Sequence, residues 1–286
     1  MHYDIPQFSY HLAWRSRGYH TGRHASIQRG MGMEFRGLTN LLSYPDPRRI
    51  DIRQTIKDPL EQIYVRIYNQ KGATPVFAIG DISGSMGFGQ GKSKIQLMTD
   101  IAQSIAVSAT SNSDPFGFIA FDDQVRDEYL SPSSLRPQMA LDLLQGLSTY
   151  QPPKVGGMGL SQTFRHLPRE RSLIFLISDF HMPIDALEDA LLQMLHHHIV
   201  PVVLWDADEY RNLPEFGIIN VQDAESGDQR IVLLRKELRD QIVAKFEQRR
   251  KELNDLFLRY DMPPFYVEGT FDCNLMSEYF YQFSAA

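Results

Sequence analysis

The 286 residues contain one cysteine, Cys273. A single thiol excludes an internal disulfide and fits a reducing cytoplasm. Nothing around it forms a Cys/His catalytic grouping, so Cys273 reads as a packing residue. No apolar run approaches the ~18 residues that a membrane span needs. The first residues, MHYDIPQFSYHLAWRSRGYH, lack the charged start and apolar stretch of a secretory signal. A soluble, cytoplasmic protein is therefore expected. H-E-x-x-H and G-x-S-x-G are both absent, which removes the simplest metalloprotease and serine-hydrolase readings. The paired acids Asp122 and Asp123 have no partner acid that the sequence places nearby. There is no internal repeat and no low-complexity tract.

What is present is enough for a substantial core. Hydrophobic residues make up 43% and aromatics 11% of the chain. The net charge of −6 is unevenly spread: residues 1–72 hold 11 Lys/Arg against 6 Asp/Glu, and residues 73–286 hold 18 against 29. A basic first part could meet nucleic acid or an acidic protein, or could complement the acidic remainder. Its arginines are scattered rather than clustered, which argues against nucleic acid.

From residue 75 onward, short apolar runs alternate with helical patterns. The strands read as 76–80, 116–121, 125–130, 173–178, 199–205, 216–222, 230–234 and 265–267. The main helices read as 94–109, 135–147, 160–167, 184–196, 236–259 and 273–283. This alternation predicts an α/β fold with a doubly wound, mainly parallel sheet. Residues 1–72 do not follow it. They are expected to form a small β-rich N-terminal module, with 1–33 as loops and short extended pieces and a strand at 63–68. The expected domains are thus 1–72 and 73–286.

Chemistry concentrates at VFAIGDISGS, residues 76–85. A buried strand ends on Asp81, and Ser83 and Ser85 follow at alternate positions before a glycine-rich turn and a helix. A strand–turn–helix sets the turn at the carboxyl edge of a parallel sheet, where open α/β folds place their sites. One carboxylate and two hydroxyls aimed at one spot suit a hard divalent cation. Two further signals compete for attention. MGFGQGKS, residues 86–93, is close to a phosphate-binding loop, but Met86 stands where the first glycine belongs. Lys92 and Ser93 read more simply as a helix start, with Ser93 as N-cap. His196-His197-His198 falls at a helix end and reads as structural: adjacent helical residues point apart, and a helix C-terminus favours partly positive side chains.

D-x-S-x-S after a hydrophobic strand resembles the metal-ion-dependent adhesion site of von Willebrand factor A domains. LIFLISDF, 173–180, resembles that family's later metal-site strand. VGGMGLSQTF, 155–164, resembles the loop that supplies a metal-binding threonine. The resemblance implies Asp81, Ser83 and Ser85 as the first three ligands and Asp179 as the fifth. The loop departs from the pattern, because Met158 and Gly159 follow Gly156-Gly157 where threonine is usual. Ser161 and Thr163 are out of register, so the fourth ligand is unassigned. Ser161, Thr163 and Asp122 stay as accessory candidates near the metal, and the implied ion is Mg2+, with Mn2+ or Ca2+ as alternatives.

A second resemblance runs through Glu34-Phe35-Arg36, Tyr44-Pro45-Asp46, Arg49-Ile50-Asp51 and Tyr64-Val65-Arg66. This order is similar to that of bacterial von Willebrand A-like proteins of unknown function associated with MoxR AAA+ ATPases. The turn lacks that group's glycine, and Ile52 replaces its tryptophan. The similarity covers roughly residues 30 to 210. It implies a non-enzymatic, metal-assisted interaction protein whose partner is a MoxR-type AAA+ ATPase. The pair would act in chaperone-like assembly or maturation of other proteins, including metalloenzymes such as methanol dehydrogenase, with the client unspecified. Two alternatives remain: a nucleotide-dependent enzyme using 86–93, and a nucleic-acid binder using the basic N-terminal part.

Overall fold

Val76–Asp81 is fully buried along its whole length, and so are Phe116–Phe121 and Leu173–Ser178. Strands buried on both faces read as unbroken apolar runs because helices cover each side of a parallel sheet. The computed structural model describes residues 5–12, 14, 21–89, 91–152, 156–211, 217–222 and 229–283. It divides into two units, one of Met1–His11 with Pro75–Ala286 and one of Leu12–Thr74. The division differs from the expected 1–72 and 73–286, because the first residues belong to the larger unit.

The strands, in chain order, are β1 Thr21–Asn40, β2 Tyr64–Gly72, β3 Val76–Asp81, β4 Phe116–Phe121, β5 Val125–Ser134, β6 Leu173–Ser178, β7 His198–Trp205, β8 Gly217–Gln222, β9 Gln229–Leu234 and β10 Phe265–Glu268. The helices are α1 Ile52–Lys57, α2 Lys94–Ser111, α3 Gln138–Leu147, α4 Ile184–Met194, α5 Ala207–Tyr210, α6 Lys236–Arg259 and α7 Cys273–Phe283.

In the larger unit, six strands lie in the order β10-β7-β6-β3-β4-β5. All neighbours are parallel except β5, which runs antiparallel to β4. The chain steps from β3 outward to β4, then returns to the other side of β3 to build β6 and β7. The reversal falls between β3 and β6, so their carboxyl ends flank the crevice where such sheets bind ligands. The observed fold is the α/β, mainly parallel arrangement expected from the alternation.

Helix α2 is set by a capping box. The Ser93 hydroxyl accepts from the Gln96 backbone N–H, and the Gln96 side chain accepts from the Ser93 N–H. Its face of Ile95, Met98, Ile101, Ala102 and Ile105 is buried. The stretch expected as a helix at 160–167 is a 3-10 segment over Met158–His166. β8 and β9 pair with each other as a separate antiparallel hairpin, and the expected turn at 225–228 lies outside the described residues.

The smaller unit is a long hairpin of β1 and β2 with several register shifts, plus α1. Its strand β1 starts at Thr21, inside the region the sequence reads as loops. Gly30, Gly32 and the mixed polar residues there show no alternation, and irregular pairing with β2 supplies the order instead. Several residues of the second resemblance hold this unit together. Asp51 caps α1 through the Gln54 N–H and accepts from Arg66 Nε at 2.8 Å. Arg49 lies over the Tyr68 ring, and Phe35 meets that ring edge-on.

Candidate metal centre

The end of β3 and the end of β6 bring Asp81 and Asp179 together. Gly80 pairs with Ile177 across the two strands, which sets Asp81 beside Ser178. The Ser178 hydroxyl donates to Asp81 Oδ2 at 2.6 Å, and the Ser83 N–H donates to Asp81 Oδ1 at 2.8 Å. The second bond closes an Asx turn, which starts the loop and fixes where Ser83 stands. Ser83 Oγ and Ser85 Oγ are 3.3 Å apart, and Ser85 stands near enough to Asp179 to favour its ionised form. Asp81, Ser83, Ser85 and Asp179 thus form one connected group.

The two carboxylates are pushed apart electrostatically. Burial, and then the charge of Asp179, raises Asp81 well above the usual carboxylate range despite its hydrogen bonds from Ser178 and Ser83. Burial would raise Asp179 as well. The Lys94 ammonium beside it, helped by His181, outweighs that and holds Asp179 below the usual carboxylate range.

No local pattern in the chain marks Lys94 as part of a site. It is the first residue of α2, where a lysine normally reads as solvated, yet it is only 3% exposed. Its Nζ lies 2.9 Å from Asp179 Oδ2 and 2.5 Å from Glu209 Oε1. The Phe88 ring lies 5.9 Å from the same nitrogen. Burial alone would lower the Lys94 pKa. Asp179 and Glu209 more than offset this and raise it.

The backbone around Asp179 is held from outside the loop. Trp205 Nε1–H donates to the Asp179 carbonyl at 3.0 Å. Phe180 sits at φ +53°, a left-handed conformation that costs a non-glycine residue about 1–2 kcal/mol. Its ring is buried edge-on against Phe257 of α6. Arg249 of α6 donates to the Phe180 carbonyl at 2.6 Å and also to the Met182 carbonyl. Phe246, one turn earlier, packs on Trp205, Tyr210 and His181. The buttress explains why a strained residue persists beside Asp179.

The glycine-pair loop also reaches the site, but not through a hydroxyl. A Cβ at Gly157 would lie 3.3 Å from Asp81 Oδ2, so the backbone itself passes over the carboxylate. Residues 153–155 of this loop lie outside the described residues. Met158 is half exposed. All three accessory candidates bond elsewhere. Thr163 is buried, donates to the Leu160 carbonyl and contacts Met194 Sδ. Asp122 is taken by Arg126, at 2.6 and 2.8 Å, and by the Gln124 N–H. Its carbonyl accepts from the Gly159 N–H at 2.7 Å, so Asp122 fixes the loop rather than facing an ion. Ser161 is half-buried and donates to the Met158 carbonyl at 3.4 Å.

The competing signals resolve differently. Lys92, which a phosphate loop would direct at its ligand, is ion-paired with Asp100 on a half-exposed part of α2. His197 and His198 are lowered to about 4, chiefly by burial. They are held neutral, contrary to the positive side chains expected at a helix end. Among the described residues, no group of three or more His, Cys, Asp or Glu side chains is placed to hold a metal. The Asp81 group differs in kind, since two of its four members are hydroxyls. Asp81, Ser83, Ser85 and Asp179 offer oxygen alone, the donor type a hard divalent cation takes. They fit such an ion by chemistry, with one cation, Lys94, already among them.

Residues 45–252 match the family described as "Protein of unknown function DUF58". No curated protein matches the chain. Among solved structures, the chain is similar to the conserved hypothetical protein BatB from Bacteroides thetaiotaomicron, with 17% identity and a TM-score of 0.40 over 75% of this chain and 100% of that one. It is also similar to an aerotolerance-related membrane protein from Bacteroides fragilis, with 15% identity and a TM-score of 0.42 over 75% and 99%. A third similarity is to proximal thread matrix protein 1 from the mussel byssus, whose MIDAS motif is zinc-occupied. There the identity is 15% and the TM-score 0.33, over 46% of this chain and 38% of that one.

Proposed function

This chain belongs to the DUF58 family, and from that premise we propose that it is a non-enzymatic protein-interaction module that captures a partner carboxylate through a divalent cation. The observation that carries this reading is the convergence of Asp81, Ser83, Ser85 and Asp179 at the reversal point of the sheet. These four residues would hold Mg2+ or a similar ion. When bound, the ion would supply a Lewis-acidic position open to a carboxylate from another protein. The chain's own residues aim the donors: Ser178 and the Ser83 N–H orient Asp81, while Trp205 holds the Asp179 carbonyl and Arg249 the carbonyl of the next residue, Phe180.

The partner we propose is a MoxR-type AAA+ ATPase, acting with this chain in chaperone-like assembly or maturation of other proteins. The support for it is the sequence pattern running from Glu34 to Arg66 and on to the D-x-S-x-S strand. The cytoplasm is the proposed setting. Cys273 is a free thiol, and among the described residues no helix is long and apolar enough to cross a membrane.

Calorimetric titration with Mg2+ and Mn2+ tests the site. Saturable binding is expected in the native chain and is expected to vanish in Asp81→Ala. A purified MoxR-type ATPase should then bind in the presence of metal and dissociate with EDTA. Binding that ignores both EDTA and Asp81→Ala would keep the partner and remove the metal from the reading.

A further inference from the structure

Buried lysines are rare, and one placed between two carboxylates at a candidate ion site needs a reason. Lys94 touches Asp179 and Glu209 at once. Asp179 belongs to the oxygen group that would hold an ion. Glu209, on α5, lies outside that group and is more exposed than either. The ammonium therefore has one partner it would share with an entering ion and a second it could keep. The charged partners of Lys94 are Asp179 and Glu209, and Asp179 in turn faces Asp81 and His181.

We propose that Lys94 is the resident cation of this site: its ammonium neutralises Asp179 in the ion-free chain, and a divalent cation enters as Lys94 gives up Asp179 and keeps Glu209. Lys94 and Glu209 are then positioning residues that set how tightly the site takes an ion. The inference rests on the metal reading above and adds its regulation. It also accounts for the position of Lys94 at the first turn of α2, a stiff capped helix that keeps the lysine stem within reach of both acids.

The test is a double-mutant cycle read by Mg2+ and Mn2+ calorimetry and by metal-dependent thermal unfolding. Lys94→Met should raise affinity about tenfold or more, since an entering ion no longer displaces a charge. Glu209→Gln should lower affinity by about threefold to tenfold, because Lys94 loses the partner it would keep once Asp179 is given up. In the Lys94→Met background, Glu209→Gln should change affinity by less than about twofold. Lys92→Met, which removes a nearby exposed positive charge, should likewise change it by less than about twofold.

Unchanged or weaker binding in Lys94→Met, with the native chain still binding, overturns this inference and leaves the metal reading standing. So does an equal loss from Glu209→Gln with and without Lys94, which would make Glu209 a direct electrostatic contributor. Binding in Lys94→Met alone supports the inference and removes the ion from the native chain's function. Binding in no variant overturns both. If Lys94→Met folds only when metal is added, that also supports the exchange. If it does not fold at all, the Glu209→Gln arm decides, since Lys94 is intact there.

Discussion

Asp179 is constrained at its carboxylate by Lys94, at its carbonyl by Trp205 and through its neighbour by Arg249. Each constraint comes from a different element, and each crosses a long stretch of sequence. The Lys94 pair spans 85 residues and the Arg249 bond 69. Local pattern reads Asp81, Ser83 and Ser85 because they lie on one turn. It cannot read Lys94, because nothing near residue 94 reveals that the helix start faces Asp179. His197 shows the same limit with a testable consequence. Its Nδ1 accepts the Ser172 N–H at 3.2 Å, which requires the unprotonated ring. Burial, with smaller contributions from His196 and Arg171, lowers its pKa from 6.5 to about 4. Between those values the unfolded chain binds more protons than the folded one, so stability falls as pH drops from about 6.5 toward 4. His197→Asn, which keeps an acceptor and takes up no proton, should flatten that fall. Thermal midpoints measured across this range for both proteins check it, and identical slopes would count against His197.

At the scale of elements, the parallel strands were legible because burial on both faces leaves unbroken apolar runs, and α2 was legible down to its Ser93 cap. The segment Met158–His166 was not, because tertiary contacts decide it. Gly159 lies against the turn that follows β4. A Cβ there would come within 2.6 Å of the Asp122 carbonyl oxygen and of the Gln124 backbone. Backbone atoms cannot swing aside as a side-chain end can, so Gly159→Ala must move the segment or the turn. A cost of about 1–3 kcal/mol is expected from such overpacking. Because Gly157 in the same segment passes over Asp81, the variant should also weaken divalent-ion binding. Urea unfolding and calorimetry on one preparation check both effects. Lower stability with unaltered ion affinity would separate the segment from the site.

At the scale of the molecule, the chain begins in the larger unit, leaves it for residues 12–74, and returns. The expected boundary differs from this division because residues 5–11 carry no strand or helix pattern in the sequence, and their contacts are tertiary. Phe8 is buried, stacks on Phe280 and meets Phe175 of β6 edge-on. Its N–H donates to the Ser108 hydroxyl of α2 at 3.0 Å, and the Tyr10 hydroxyl donates to Asp114. A segment a hundred or more residues from these partners therefore completes the core beneath the sheet. Deleting a buried aromatic side chain typically costs about 3–5 kcal/mol. Phe8→Ala should accordingly shift the unfolding of the larger unit to lower urea with an unchanged slope. Trp205, buried beside β6 and bonded to Asp179, reports on that unit by its fluorescence. If residues 1–72 were instead a separate module, the Trp205 transition would not respond to Phe8→Ala. A shifted midpoint would show that the sheet carrying Asp81 and Asp179 depends on the first residues of the chain.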